Sequence, residues 1–123
     1  MSAFVISLKE NGKYKYTFEH RRGKTLFTSV EYSSLDAAQD NIVYLRDNFD
    51  ALNFMRFKTP SGKYFFRLAI AKKIYGNSRR FNTELRFEKA LEEIQANFFQ
   101  AEILDLSFDI FNSPSAEDIF GTD

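Results

Sequence analysis

An internal repeat is the feature that most constrains how this chain of 123 residues can fold. Residues 4–49 read as an extended segment, a turn at glycine, two more extended segments and an amphipathic helix, and residues 53–98 follow the same order. Self-similarity over such a period indicates one supersecondary unit used twice, because a single unit cannot bury its own apolar face. We therefore predict one domain over residues 1–107, built from units at residues 4–52 and 53–107.

The strands of each unit are predicted from turn signals and from alternation. Gly12 and Gly62 mark tight hairpins, since glycine tolerates the positive φ that short hairpin turns need. Between residues 13 and 20, apolar and polar side chains alternate with the period of a half-buried strand. The strand that opens the second unit is expected to point Met55 and Phe57 toward the core.

The helices are predicted from apolar residues spaced three and four apart. Ser34 and Thr83 precede the two stripes, and their hydroxyl groups are suited to cap helix N-termini. We predict an α+β fold in which two tandem strand-strand-strand-helix-strand repeats share one mainly antiparallel sheet, with both helices on one face and pseudo-twofold symmetry. The stripes are Leu35, Ala38, Ile42, Leu45 and Phe49 in the first unit and Phe87, Leu91, Ile94 and Phe98 in the second.

Composition is typical of a globular domain and gives no sign of a membrane or a redox function. Hydrophobic residues make up 44% of the chain and include 15 Phe, which is ample material for one core. No apolar run approaches the length of a membrane-spanning helix, and the N-terminus lacks the pattern of a signal peptide. Without cysteine there is no disulfide and no thiolate chemistry. We expect a cytoplasmic protein with no membrane partner.

Charge is distributed unevenly although the net charge is zero. All 17 Lys and Arg lie at or before Lys89, whereas residues 90–123 contain acidic but no basic side chains. We predict that residues 108–123 form an acidic, flexible C-terminal tail. The alternative is a docking motif, because Asp-Ile-Phe occurs at residues 109–111 and again at 118–120.

The sequence offers no group of residues suited to catalysis, cofactor binding or metal binding. A metal site needs several converging His, Cys or carboxylate ligands, and the chain has one histidine and no cysteine. That histidine, His20, continues the inward series of a strand, which favours a structural role. The five glycines are scattered, so no phosphate-binding loop is present. We therefore expect no enzyme activity, no cofactor and no metal.

The sheet face away from the helices is the candidate interaction surface, because it combines aromatic and basic residues. We predict a noncatalytic interaction module that uses this face to bind a protein partner or a second copy of itself. The alternative is single-stranded nucleic acid, since aromatic side chains interleaved with Lys and Arg can stack bases and neutralise phosphates. The candidate residues are Lys13, Lys15, Phe27, Lys63, Phe65, Arg67, Lys73, Tyr75, Arg79 and Arg80.

Four motifs carry a resemblance to a known family: Asn11-Gly12-Lys13-Tyr14-Lys15-Tyr16, Thr28-Ser29-Val30-Glu31-Tyr32-Ser33-Ser34, Asn41-Ile42 and Arg46-Asp47-Asn48. In these motifs the chain resembles the YegP-like proteins, which are small bacterial domains of uncharacterised function. The resemblance extends more weakly over residues 61–66 and Asn97, and in the second unit residues 76–81 replace the family's Thr-Ser-Glu-x-Tyr pattern. It implies tandem units in one sheet with terminal strands exchanged between them, and it implies no reaction.

Overall fold

The structure is a computed structural model that describes residues 1–21 and 23–107. Its class is mixed α+β, as expected, with seven strands in one sheet and two α-helices within the described residues. The predicted tail at residues 108–123 lies outside the described residues. The strands are β1 (Ser2–Leu8), β2 (Tyr14–His20), β3 (Thr25–Ser29), β4 (Asn53–Lys58), β5 (Tyr64–Ile70), β6 (Lys73–Ser78) and β7 (Glu102–Asp105). The helices are α1 (Leu35–Asp47) and α2 (Glu84–Asn97), and a single 3₁₀ turn (Phe49–Ala51) follows α1.

The sheet has the strand order β4-β5-β6-β3-β2-β1-β7. Five of its neighbouring pairs are antiparallel, and only β1 and β7 run parallel. The antiparallel pair β3 and β6 joins the N-terminal three strands to the next three. The amide of Leu106 donates to the carbonyl of Ile6 at 2.8 Å, so the pairing of β7 with β1 continues past the end of the strand. The edge strands carry opposite charge: Arg56 and Lys58 on β4, Glu102 and Asp105 on β7.

Both helices begin at the predicted capping residues. The Ser34 hydroxyl accepts a hydrogen bond from the Ala37 amide at 3.0 Å, and the Thr83 hydroxyl accepts one from the Arg86 amide at 3.2 Å. Such caps satisfy a backbone donor that has no partner within the helix. None of the helices in the described part of the chain is long and apolar enough to cross a membrane.

The helices cover one face of the sheet, and aromatic side chains fill the space between. Phe4 on β1 has no solvent exposure and meets Phe18 and Phe98 edge-on, at ring-centroid distances of 5.0 and 5.2 Å. Phe66 on β5 lies 6.2 Å from Phe87 on α2 and 6.4 Å from Phe27 on β3. These contacts link the β1 half and the β5 half into one core. Tilted and edge-to-face pairs of this kind add to the energy of burial.

Two β-bulges interrupt the alternation that the sequence suggested. The β2–β3 pairing shifts register after Phe18, which leaves Leu26 as an extra residue on β3. The β5–β6 pairing shifts after Leu68, which leaves Tyr75 as an extra residue on β6. A bulge sets two consecutive residues opposite one, so neighbouring side chains can lie on the same face of the sheet.

Because of the bulges, the prediction that Phe27 and Tyr75 lie on the exposed face of the sheet is wrong. Phe27 is 0% exposed and Tyr75 is 7% exposed, and both belong to the core on the helix side. Phe27 shares that side with Leu26, and Tyr75 meets the ring of Tyr44 on α1 at 5.9 Å. Gly76 follows Tyr75 at a close approach to β3, where an added Cβ would lie 2.7 Å from the Thr28 carbonyl oxygen.

Candidate interaction surface and a neighbouring cleft

The face of the sheet opposite the helices, which we call the open face, is crossed by one row of paired residues. The row passes through Val5, Thr17, Thr28 and Asn77, and it is therefore polar at the centre of the sheet. It ends in Leu104 at one edge and in Arg67 and Met55 at the other. The hydrophobic residues of the open face are thus gathered toward its two ends.

An arginine–phenylalanine cluster, made of Phe57, Phe65, Arg67 and Arg80, occupies the β4–β5 end of the open face. The two phenyl rings are stacked with centroids 5.1 Å apart and an interplanar angle of 17°. The Arg67 guanidinium lies 5.3 Å from the centroid of Phe57, and the Arg80 guanidinium lies 5.6 Å from that of Phe65. Each contact is worth roughly 0.5–1 kcal/mol at an exposed site. The cluster is a preformed surface of two half-buried rings flanked by two cations.

The cations of this cluster are not neutralised by neighbouring carboxylates. Arg67 donates from Nε to the Asn77 side-chain oxygen at 2.9 Å. In contrast, Arg56 on the helix side of β4 pairs with Glu88 of α2. Among the described residues, neither Arg67 nor Arg80 has an ion-pair partner. Their charge is therefore available to a bound molecule.

The ten predicted surface residues do not form one patch. Four lie on the open face, two lie in hairpin turns, and four are on the helix side of the sheet. On the helix side, Lys73 lies over the ring of Tyr75 at 5.5 Å and Arg79 over that of Phe81 at 5.3 Å. The open-face residues are Lys15, Phe65, Arg67 and Arg80; the hairpin residues are Lys13 and Lys63; the helix-side residues are Phe27, Lys73, Tyr75 and Arg79.

Sequence reasoning missed one member of the cluster. Phe57 was expected to point toward the core together with Met55, but both lie on the open face, and Met55 is 36% exposed. The signal was present in the hairpin, because Phe57 pairs with Phe65, and residues directly opposite on antiparallel strands point to the same side. Placing Phe65 outside therefore requires Phe57 outside.

A cleft of about 980 Å³ opens on the helix side, between α2, the β2–β3 hairpin and the end of β6. Its apolar surface comes from Leu26, Phe81 and Ala90, all of them nearly buried. Four cationic side chains line it as well: Lys24, Arg79, Arg86 and Lys89.

An acidic residue in the cleft is held by its own neighbours. The Glu93 carboxylate accepts hydrogen bonds from the Ser2 hydroxyl at 3.1 Å and from the Asn97 side-chain amide. The same oxygen lies 3.0 Å from Nδ1 of His20. Glu93 is thus held by three neighbouring polar groups, and a second carboxylate, Glu92, also lines the cleft. Within the described residues, no group of three or more His, Cys, Asp or Glu could hold a metal ion.

The corresponding region beside α1 is filled by tyrosines. The Tyr16 hydroxyl donates to the Asn41 side-chain oxygen at 2.6 Å, and the Tyr16 ring stacks on Tyr32 with centroids 6.1 Å apart. Tyr75 meets Tyr44 above them. Burial raises the pKa of the Tyr16 phenol well above its usual value and raises the pKa of Tyr32 to about 12. Both phenols stay neutral at physiological pH. Tyr16 acts as a hydrogen-bond donor, whereas the buried Tyr32 hydroxyl has no hydrogen-bond partner among the described residues and contributes through packing.

Comparison with known proteins supports the resemblance seen in the motifs. The chain is 28% identical over 96 residues to the UPF0339 protein YegP of Escherichia coli K12, which covers 76% of this chain and 87% of YegP. It is 24% identical over 106 residues to a UPF0339 protein of Acinetobacter baylyi, which covers 85% of this chain and 96% of that one. No protein-family model matches the chain.

Two solved structures share the fold. The solution structure of E. coli YegP, described as a protein of unknown function, superposes with a TM-score of 0.75 at 21% identity and covers 88% of this chain and 95% of YegP. The UPF0339 protein of Shewanella oneidensis gives a TM-score of 0.75 at 19% identity, covering 86% and 92%. The YegP-like resemblance predicted from the sequence is confirmed.

Proposed function

We propose that this YegP-like chain is a noncatalytic binding module that holds a protein partner, or a second copy of itself, through the arginine–phenylalanine cluster of its open face. The observation that carries the proposal is the stacked pair Phe57 and Phe65 with the unneutralised cations Arg67 and Arg80 beside it. Aromatic residues and arginine are enriched in the energetic centres of protein interfaces. A partner surface bearing carboxylates fits such a cluster best, because arginine binds carboxylates with two parallel hydrogen bonds.

The rings of Phe57 and Phe65 have few free faces, which favours a protein partner over a nucleic acid. A base stacks on a free aromatic face. One face of each ring in the cluster is covered by the other ring, and an arginine lies over each ring as well. The two further aromatic residues once expected on this face, Phe27 and Tyr75, are buried.

The experiment reverses the charge of the cluster. Arg67→Glu with Arg80→Glu should abolish self-association in sedimentation velocity, or capture of a purified partner, while the circular dichroism spectrum stays native. The matched control is Lys13→Glu with Lys63→Glu, which makes the same change of charge in the two hairpins and should leave association intact. Equal association by both double variants would contradict the proposal.

Single-stranded nucleic acid remains the alternative, supported by Lys15 and the two arginines on the same face. It predicts retention on single-stranded DNA or RNA that weakens steeply with salt, since phosphate contacts release counterions. If the parent chain is retained at low salt and the Arg67→Glu, Arg80→Glu variant is not, the ligand of the open face would be nucleic acid rather than a protein. Absence of retention at low salt would eliminate this alternative.

We further propose that residues 1–107 are one domain of two tandem repeats related by a pseudo-twofold axis between β3 and β6. Matching hydrogen bonds support this: the Ser29 hydroxyl accepts from the Tyr16 amide at 2.8 Å, and the Ser78 hydroxyl accepts from the Phe66 amide at 2.9 Å. The two bulges lie at equivalent places in the two hairpins. We also propose a cytoplasmic location, because a chain without cysteine needs no disulfide and is compatible with a reducing compartment.

A further inference from the structure

We infer that the cleft beside α2 is a binding site for a small organic anion, a molecule with an apolar body and one phosphate or carboxylate group. The inference is independent of the open face, because the cleft lies on the other side of the sheet and shares no residue with the arginine–phenylalanine cluster. Its volume of about 980 Å³ is at the upper end of the range for sites that hold small molecules.

Four cations give the cleft its preference for an anion. Lys24, Arg79, Arg86 and Lys89 come from three different segments of the chain, and all four are exposed. None of them has an ion-pair partner among the described residues. Cations gathered in one concave site reinforce each other's potential and attract anions. Two carboxylates, Glu92 and Glu93, also line the cleft, and Glu93 accepts hydrogen bonds from Ser2 and Asn97. The four cations outnumber them, so the lining keeps a net positive charge.

The apolar surface defines the rest of the ligand. Leu26, Phe81 and Ala90 are 7%, 6% and 5% exposed and form the apolar part of the lining. The Arg79 guanidinium lies 5.3 Å from the centroid of Phe81, so cation and aromatic ring are adjacent. A molecule with its apolar body on this surface and its anionic group toward the arginines would satisfy both halves of the lining. An inorganic ion alone would leave the apolar surface of the cleft exposed to water.

The equivalent region beside α1 is filled by side chains, so an open cleft is not an unavoidable result of this fold. When the chain is aligned with itself on the helix caps Ser34 and Thr83, Leu26 corresponds to Tyr75 and Glu93 corresponds to Tyr44. Those two tyrosines contact each other at 5.9 Å. The same architecture is thus closed by two large side chains beside α1 and left open beside α2.

Three of the four cations are specific to the open half as well, whereas the fourth, Lys24, corresponds to Lys73, which lies over the ring of Tyr75. In the same alignment Arg79, Arg86 and Lys89 correspond to Val30, Ala37 and Asp40. The cleft beside α2, which lacks the tyrosines, therefore carries these three positive side chains. The equivalent positions beside α1, where the tyrosines lie, carry no basic residue. Space and positive charge occur together, which is the combination that an anionic ligand needs.

The test uses 1-anilinonaphthalene-8-sulfonate, an aromatic sulfonate, as the probe on the folded full-length chain. We expect saturable binding by fluorescence, with amide shifts in two-dimensional NMR spectra centred on Lys24, Arg79 and Arg86. The variant Arg79→Glu with Arg86→Glu should weaken binding at least tenfold. The control Lys15→Glu with Lys63→Glu changes the net charge equally outside the cleft and should bind as the parent does. Equal affinity of both variants would overturn the inference.

Competition identifies the anionic group. Phenyl phosphate and benzoate share one apolar body, so displacement of the probe by phenyl phosphate alone assigns a phosphate ligand, and displacement by benzoate alone assigns a carboxylate. Displacement by neither contradicts the inference.

A second variant tests the role of space without changing charge. Leu26→Tyr brings into the cleft the residue type found at position 75, and it should reduce probe affinity while the NMR spectrum stays dispersed. Undiminished affinity in this folded variant would mean that the probe binds elsewhere, which would also overturn the inference.

Discussion

At the scale of single residues, two serines continue the pairing of neighbouring strands one residue past the last backbone pair. Ser29 accepts a hydrogen bond from the Tyr16 amide at 2.8 Å and donates to the Val30 carbonyl at 2.7 Å. Ser78 makes the same two bonds with Phe66 and Arg79, at 2.9 and 2.6 Å. The side chain therefore stands in for a ladder bond that the backbone does not make. Ser29 is 8% exposed, whereas Ser78 is half-buried.

This difference in burial predicts unequal costs for the same substitution. Ser29→Ala removes the partner of a buried amide and of a partly buried carbonyl, and it should lower the free energy of unfolding by about 1–3 kcal/mol. Ser78→Ala should cost roughly 0.5–1.5 kcal/mol, because water can reach the groups it exposes. Urea unfolding of both variants beside the parent chain checks the prediction. A larger loss for Ser78→Ala would show that burial does not govern these bonds.

Residue-scale predictions from the sequence succeeded where local chemistry decides and failed where register decides. Ser34 and Thr83 cap the helices as expected, since a cap depends only on neighbouring backbone. Phe27 and Tyr75 were placed on the wrong face, because one extra residue in a strand reverses the side on which the following side chains lie. Nothing in the local composition marks a bulge of this kind.

At the scale of elements, the hairpins contain backbone conformations of differing cost. Gly12 and Gly62 have φ values of 82° and 88°, which confirms the positive φ expected of these turns. The turn between β5 and β6 instead sets Ala71 at φ 54°, in a region that costs a residue with a Cβ roughly 1–2 kcal/mol.

Glycine at position 71 is expected to stabilise the protein. Ala71→Gly removes the steric cost, partly offset by the greater freedom of glycine in the unfolded chain, and should raise the free energy of unfolding by about 0.5–1 kcal/mol. The reverse change, Gly62→Ala, should lower it by about 1–2 kcal/mol. Thermal and urea unfolding would measure both. A destabilised Ala71→Gly variant would mean that this turn is not strained.

Element boundaries were largely predictable, because periodicity and turn residues act over short distances. The alternation predicted over residues 13–20 corresponds to β2 (Tyr14–His20), and both helices begin directly after their predicted caps, Ser34 and Thr83. The orientation of β4 was the exception: its apolar residues Phe54, Met55 and Phe57 do not alternate strictly, so the pattern alone did not define its inner face.

At the scale of the whole molecule, β7, the last described strand, completes the N-terminal half. It pairs with β1, so the first and the last described strands lie side by side. Ile103 packs against the core, and on the neighbouring strand β1 both Phe4 and Ile6 have no solvent exposure.

Removal of β7 should therefore destabilise the whole domain. A chain ending at Ala101 loses the burial of Ile103 and uncovers the flank of Phe4 and Ile6, at an expected cost of roughly 2–4 kcal/mol compared with a chain ending at Ser107. The comparison of these two truncated chains isolates β7 from the residues that follow it. Equal urea midpoints would show that β7 is dispensable.

At this scale the sequence predicted the class, the resemblance and three of the four residues of the arginine–phenylalanine cluster, but neither their grouping nor the cleft. In the arginine–phenylalanine cluster, Phe57 on β4 and Arg80 after the end of β6 both contact Phe65 on β5. Only the tertiary fold brings these segments together. The cleft likewise depends on α2 crossing near the β2–β3 hairpin. Surfaces assembled from distant segments leave no local pattern to find.

The edge strands also give the sheet an electrical polarity from one end to the other. On β4 the charge of Arg56 is compensated by Glu88 of α2, which leaves Lys58, whereas β7 carries Glu102 and Asp105, and none of these three has an ion-pair partner among the described residues. Two copies meeting through like edges would repel each other, whereas unlike edges would attract. Contact through the sheet edges would therefore be head-to-tail, an open-ended arrangement that adds copies in one direction and dissolves as salt screens the charges.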